Sequence, residues 1–396
     1  MTYFQVRRVM LKNYRSIADS QVDLPRLAFL VGPNGSGKSN FLDALRLVSD
    51  SLRTTLDHAL RERGGVQEVR RRSMGHPTHF SITLEFLYGS SAGSYSFTLG
   101  ARKGGSYEVQ SEDCRVTVGE LGGEEHYFSV ANGRLLRTSE AVAPPVSRDR
   151  LYLVAAAGLP VFRAAYDGLS SMGFYNLVPD RIRELQSSDA GLLLARDGSN
   201  IASVLARMRR NHPADKLVIE DYLSRVVPGV VGVDQEIVGP METLAFRQVV
   251  SGSQAPWKFF ASNVSDGTLR ALGVLVALFQ ANDDPESGAG ESLVGIEEPE
   301  VALHPAAAGL LRNALEDASA RKQVLVTSHS PELLDDPELP LDSILAVDAT
   351  GGRTRIGRLD QAGRYALKER LFTAGELLRL DQLVPDAAEL VPLPGL

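Results

Sequence analysis

Residues 32–39 read GPNGSGKS, and no other stretch constrains the fold of this chain so tightly. They satisfy the pattern G-x-x-x-x-G-K-[ST] and stand between an apolar run, Leu27 to Val31, and a segment from about Lys38 to Asp50 with helical spacing. Strand, glycine loop and helix in that order make a cradle for phosphate. Glycines at 32, 35 and 37 let the backbone turn until its N–H groups converge on phosphate oxygens, and the helix adds the positive end of its dipole. Asn34, Gly35, Ser36, Gly37 and Asn40 are therefore candidate binding residues. Lys38 is expected to reach the β- and γ-phosphates, and Ser39 to bind Mg²⁺.

The phosphate loop gives meaning to a second stretch. In ESLVGIEEPEVALHP, residues 291–305, an apolar strand runs into the adjacent carboxylates Glu297 and Glu298. Neighbours on a strand face opposite sides, so the two acids cannot share one role. In parallel α/β sheets the ligand sits outside the carboxyl ends of the strands, where this segment delivers its acids. Glu297 would face the Mg²⁺ shell, and Glu298 would polarise the water that attacks a phosphoryl group. TSHSP, residues 327–331, follows another apolar strand and brings His329 to the same end, within reach of the γ-phosphate or the water. NVSDGTLRALG, residues 263–273, offers Ser265 or Asp266 as a helix cap and Gly267 in the first turn, a second helix N-terminus suited to an anion.

Between these motifs the chain divides by pattern. Alternating segments from Phe80 to Arg137 predict an antiparallel meander, and NIASVLARMRRN and KLVIEDYLSRVV predict a helical insertion within 160–226. Strands near 232–260, the helix after SNVSDG, the acidic strand, a helix near Ala306 to Ala320 and QVLVTSHSP then alternate as a parallel sheet covered by helices requires. The fold class expected is α/β: a phosphate-loop NTPase with a mainly parallel core sheet, an antiparallel β subdomain and an inserted helical lobe. The domains divide as 1–160, 161–230 and 231–396.

With 42 Lys plus Arg against 49 Asp plus Glu, the net charge of −7 excludes a dedicated nucleic-acid coat, so any such surface is local. The candidates are Arg61 to Arg72 and Arg207 to Arg210, for which a solvated helix face is the alternative. Cys114 is the only cysteine, which rules out an intrachain disulfide and fits a reducing cytoplasm. No apolar stretch reaches the ~20 residues that span a bilayer.

GPNGSGKSN, SDGT heading a helix, EEPE..LHP and TSHSP, in this order and with a long insertion after the first, resemble the ABC-type ATPases of the RecF, SMC and OLD group. The opening LKNYRSI is similar to the first strand of that group, whose basic residue, here Arg15, lies near the nucleotide. The resemblance implies ATP and Mg²⁺ as ligands and a composite site in which a homodimer sandwiches ATP. Ser265 and Gly267 of one chain would then touch the γ-phosphate held by Lys38 of the other, with Val301 to Pro305 crossing the interface. In such a site Glu298, His329 and Lys38 are catalytic.

The wider superfamily commonly has aspartate where this chain has Glu297, and the glutamine that usually senses Mg²⁺ is not assigned among Gln67, Gln110 and Gln186. About sixty-five residues follow TSHSP, too few for the nuclease unit that OLD proteins carry, so the resemblance implies a separate nuclease-like, TOPRIM-type effector. The expected role is regulation of a nucleic-acid-directed bacterial system, in phage defence or DNA repair, with DNA as a possible further partner. A membrane transporter's ATPase subunit and a DNA-bridging protein that binds ATP without turnover are the alternatives.

Overall fold

The structure, a computed structural model, describes residues 4–72, 77–119, 123–281 and 291–390. The chain opens with β1 (Phe4–Tyr14), β2 (Ile17–Asp23) and β3 (Leu27–Val31), then helix α1 (Lys38–Arg53) and short α2 (Leu56–Arg61) and α3 (Val66–Val69). The meander follows as β4 (His79–Tyr88), β5 (Ser91–Ala101), β6 (Tyr107–Val118), β7 (Glu124–Ala131) and β8 (Arg134–Thr138). Next come α4 (Leu153–Ala156), α5 (Pro160–Ser170), β9 (Gly173–Tyr175), α6 (Pro179–Arg183), β10 (Gln186–Ser187), α7 (Ile201–Asn211) and α8 (Pro213–Val226). Strands β11 (Val230–Val238), β12 (Met241–Gln248) and β13 (Trp257–Phe260) lead into α9 (Asp266–Phe279) and β14 (Leu293–Glu297). The last part holds α10 (Ala308–Ser319), β15 (Gln323–Ser328), α11 (Pro331–Leu334), the hairpin β16 (Ile344–Thr350) and β17 (Arg353–Arg358), α12 (Gln361–Lys368) and α13 (Ala374–Arg379).

Among the described residues three sheets result. The core sheet has the order β17-β16-β3-β15-β14-β9 and is parallel except for β17. Its central strands are buried on both faces: β3 is an unbroken apolar run and β15 is apolar at its centre, and both are buried at every residue. Alternate side chains feed two cores: Ala28 and Leu30 pack toward α1 and the meander, while Leu27, Phe29 and Val31 pack toward α9, α10 and the helical insertion. The seven-stranded antiparallel sheet, β2-β1-β4-β5-β6-β7-β8, covers the first face. Its strands alternate buried and half-exposed residues, as β4 does along its length, because only one side meets the core. The third sheet, β10 to β13, flanks α7 and α8 beside the second face.

Within 160–226, where helical spacing dominates, two strands appear. β9 is the edge strand of the core sheet and β10 pairs with β12. At three and two residues neither is long enough to show a period. Helix α9 is buried from Thr268 to Phe279, as an all-round apolar helix must be. Among the described residues no helix is long and apolar enough to cross a membrane.

Candidate active site

The carboxyl ends of β3, β14 and β15 are neighbours in the core sheet, and the loops leaving them carry the sequence motifs. After β3 the backbone takes left-handed conformations at Gly35 (φ 77°) and Gly37 (φ 106°), which glycine adopts without steric cost. At Gly32 and Gly37 a side chain would also collide. A Cβ on Gly32 would lie 1.9 Å from the Val347 carbonyl oxygen, and one on Gly37 2.1 Å from Thr354 Oγ1. Lys38 is buried, and its Nζ donates to the carbonyls of Gly32 (2.7 Å) and Pro33 (3.0 Å), closing the loop on itself. Burial lowers the pKa of Lys38, and the negative charges of Glu298 and Glu300 oppose that shift. Asn34, Gly35 and Ser39 are exposed at the loop surface. The first N–H groups of α1 have no intrahelical acceptor and point out of its N-terminus. Ser36 differs: its side chain is buried and its Oγ has no hydrogen-bond partner.

The two adjacent acids take separate directions. Glu297 ends β14, and its Oε1 lies 2.8 Å from Nη2 of Arg196, a residue of the segment before α7. Glu298 leaves the strand in a left-handed conformation (φ 45°), which costs a non-glycine residue on the order of 1 kcal/mol. Its N–H donates to the Thr327 carbonyl at 3.0 Å, and its Oε1 lies 3.2 Å from Nδ1 of His329. Glu298 and His329, expected at the same end of the sheet, are thus in contact. A third acid joins them. Glu300 Oε1 accepts the Ser328 hydroxyl (2.6 Å) and the His329 N–H (3.4 Å), while its Oε2 is buried without a partner. Burial raises the Glu300 pKa, partly offset by the Ser328 hydroxyl.

Helix α9 is tied to this strand end. Ser265 is its N-cap, accepting from Thr268 N–H at 3.3 Å, and Asp266 pairs with Arg183. Arg270 is buried and donates to three carbonyls: Leu177 (2.5 Å), Glu297 (3.1 Å) and Glu298 (2.9 Å). Gly267 sits against the loop after the acids, where an added Cβ would come 2.3 Å from the Ala302 carbonyl oxygen. The contacts of Ser265 and Gly267 therefore lie within α9 and against residues 302–303.

Other candidates are placed differently. Arg15, at φ 45°, pairs through Nη2 with Asp43 of α1 at 2.8 Å. Asp43 also receives Tyr14 Oη, Arg46 and Arg63. Burial opposes its charge, but Arg63, Arg15 and Arg46 together hold its pKa below the usual carboxylate value. Ser16, the next residue, reaches the site itself: its Oγ accepts from Asn40 Nδ2 at 2.6 Å. Of the glutamines, Gln186 spends both ends of its buried amide on Ile182 and Ala202, Gln67 bonds Arg70, and Gln110 lies against Gly100 in the antiparallel sheet.

Within the 61–72 candidate segment the arginines at 70–72 are already engaged inside the chain, although Arg61 and Arg72 stay exposed. Arg71 is buried and donates to the carbonyls of Ser16 and Gly352, Arg70 donates to Pro77 and Gln67, and Arg72 pairs with Glu68.

Three residues of the site escape sequence reasoning. Glu300 is visible only as the last acid of EEPE, whereas Arg196 and Arg270 carry no local signal, since their partners lie 101 and 27 residues away.

The donor set fits a magnesium nucleotide. Among the described residues no group of three or more His, Cys, Asp or Glu side chains is arranged to hold a metal ion. Mg²⁺ is ordinarily held by one or two protein oxygens together with substrate phosphates and water, and the exposed Ser39 hydroxyl and the Glu297 carboxylate are oxygens of that kind. Ser39 and Glu297 would be those protein ligands.

No curated protein sequence matches the chain. Solved structures with the same fold include the Smc head domain with an extended coiled coil from Pyrococcus furiosus, bound to the C-terminal domain of ScpA. It is 12% identical over 94% of this chain and 100% of that one, with a TM-score of 0.56. An Smc head bound to the C-winged helix domain of ScpA is 13% identical over 91% and 99%, with a TM-score of 0.50. At such identities the likeness is one of fold. Residues 27–116 and 160–335, well over half of the chain, match the family described as "AAA domain, putative AbiEii toxin, Type IV TA system", and the chain belongs to that family.

Proposed function

We propose that this protein binds and hydrolyses ATP between the 32–39 loop and the ends of β14 and β15, and that ATP closes two copies into a dimer. The observation that carries this is the contact between Glu298 and His329, 3.2 Å apart beside the buried Lys38. A carboxylate at the end of a buried strand, steadied by an imidazole, can orient a water and take its proton. Lys38 would turn its three donors from the loop carbonyls to the β- and γ-phosphates. Mg²⁺, when bound, supplies charge neutralisation at those phosphates. His329, placed by β15, would hold the γ-phosphate or the water and release it after cleavage.

The composite dimer is supported by the exposed start of α9, at Ser265 and Asp266, and by the 301–305 loop beside it. Ser265 and Gly267 head a helix whose own contacts turn to Ala302, and residues 301, 302, 304 and 305 are exposed. In a second copy this edge would meet the γ-phosphate, and Arg270 would carry that contact back to Glu297 and Glu298 of its own chain. Hydrolysis then removes the group that bridges the halves, so turnover opens and closes the dimer.

The wider role is the control of a nucleic-acid-directed bacterial system in the cytoplasm, in defence or repair, through a separate nuclease-like, TOPRIM-type partner. It is supported by the family description, which names a toxin of type IV systems, and by the order of the motifs. DNA, if it is bound, would be met elsewhere than at Arg71. A second reading, ATP holding with very slow turnover, is favoured by one contact: Glu297 is already paired to Arg196.

ATP titration and a phosphate-release assay test the proposal. Lys38→Ala is expected to weaken ATP binding at least ~100-fold, and His329→Ala to keep binding while slowing release ~10- to 100-fold. ATP binding by Lys38→Ala at wild-type affinity would remove the loop from the account.

A further inference from the structure

The phosphate loop is backed by an element that lies beyond the residues matching the family, which end at 335. We propose that Thr354, on β17, is a positioning residue for nucleotide: its hydroxyl fixes the Ser36 carbonyl and so turns the Gly37 N–H into the phosphate cradle. The inference rests on the ATP reading of the loop and adds a residue that no motif contains.

The geometry is specific. Thr354 is buried, with Oγ1 2.8 Å from the Ser36 carbonyl oxygen and 2.7 Å from Ser16 Oγ. A carbonyl can only accept, so the single hydroxyl proton of Thr354 goes to Ser36, and Ser16 supplies the proton in the other contact. Ser16 Oγ in turn accepts from Asn40 Nδ2 at 2.6 Å. The result is a directed chain from the first turn of α1, through Ser16 and Thr354, to the peptide that joins Ser36 to Gly37. Each hydroxyl in it donates once and accepts once.

A trans peptide sets its N–H opposite its C=O. With the Ser36 carbonyl drawn outward to Thr354, the Gly37 N–H faces the other way, into the loop. Gly37 can follow because it has no Cβ. Its φ of 106° suits glycine alone, and a Cβ there would lie 2.1 Å from Thr354 Oγ1. The backing is itself held. Thr354 N–H donates to the Ser16 carbonyl at 3.1 Å, and Arg71 clamps both partners, donating to Ser16 O (2.5 Å) and to Gly352 O in the β16–β17 turn (3.2 Å). At the other end of the loop the hairpin comes just as close, through Val347 against Gly32. Phosphate binding thus uses donors that are aimed before the ligand arrives, which lowers the ordering cost of binding.

The test is nucleotide binding by the full chain, read with ATP, ADP and AMP, together with KM and kcat. Thr354→Val keeps the volume and removes the hydroxyl. It is expected to raise Kd for ATP and ADP and KM for ATP about five- to tenfold, with AMP binding and kcat at saturation unchanged. Thr354→Ser restores the hydroxyl and is expected to bring Kd back within about twofold of wild type. Should Thr354→Val not fold, Ser16→Ala carries the test, with a rise of about two- to threefold in Kd expected from the broken chain. Wild-type Kd in Thr354→Val, or in Ser16→Ala where the first cannot be purified, overturns the inference while leaving the ATP reading intact. A lower melting temperature with unchanged Kd does the same, because it marks Thr354 as structural only. A wild-type chain that binds no ATP overturns the ATP reading and this inference with it.

Discussion

Two glutamates withdrawn from solvent, Glu112 fully buried in the antiparallel layer and Glu300 half-buried at the site, satisfy their carboxylates differently. Glu112 on β6 has every acceptor occupied: Oε1 takes Tyr95 Oη (2.9 Å) and Leu153 N–H (2.8 Å), and Oε2 takes Tyr152 N–H (2.5 Å). It therefore serves the first N–H groups of α4 and joins that helix to the antiparallel sheet. Glu300, beyond β14, fills one oxygen and leaves the other buried and unpartnered, close enough for its charge to act on Lys38. A fully satisfied acid is a structural bond. A half-satisfied one beside a phosphate-loop lysine keeps capacity for what the substrate brings, which is where functional residues depart from the packing rule.

The comparison can be broken by mutation. Glu112→Ala leaves three donors facing a cavity, and is expected to destabilise the chain by on the order of 3 kcal/mol in chemical denaturation while kcat and KM of the folded protein stay at wild-type values. If its turnover falls instead, the antiparallel layer is not merely structural. A pH series sharpens the same point. Burial pushes the Glu112 carboxyl from its ordinary 4.5 up to about 7, against the pull of its three donors. Between those values the folded chain keeps a proton that the unfolded chain has released. This group's contribution to stability therefore falls as pH rises from about 4.5 to about 7 and is level above that, a change on the order of 3 kcal/mol. Glu112→Gln should flatten that part of the stability profile, and an unchanged slope would show that the carboxyl titrates normally.

Glu300→Gln keeps the shape and an acceptor for Ser328 but removes the charge. About a tenfold loss of kcat is expected, with stability within about 1 kcal/mol of wild type. A large loss of stability with normal kcat would place Glu300 beside Glu112 as structural. Smallest of all, Arg72→Ala breaks an exposed pair with Glu68 and should change stability by less than about 0.5 kcal/mol.

The sequence exposes the parts of this site that are local. GPNGSGKS, the acid pair and TSHSP each follow a continuous apolar run, and β3, β15 and β14 lie side by side, so adjacency of strands was enough to bring Glu298 to His329. What stays hidden is long-range. Arg196 reaches Glu297 across 101 residues, and Thr354 reaches Ser36 across 318, each an ordinary polar residue in its own neighbourhood. Nor does a run of arginines announce that its middle member, Arg71, is buried as a clamp on the Ser16 turn. Strands β9 and β10 are too short for period to reveal, although β9 completes the edge of the core sheet.

The central claim is that Glu298 activates water in a site completed by a second copy, and light scattering of Glu298→Gln with saturating ATP and Mg²⁺ tests it most directly. The variant should bind ATP as the wild type does, lose at least ~100-fold in turnover and accumulate at twice the protomer mass, returning to protomers when ATP is replaced by ADP. Wild-type turnover in Glu298→Gln, or an ATP-loaded variant that remains at protomer mass, would contradict the account.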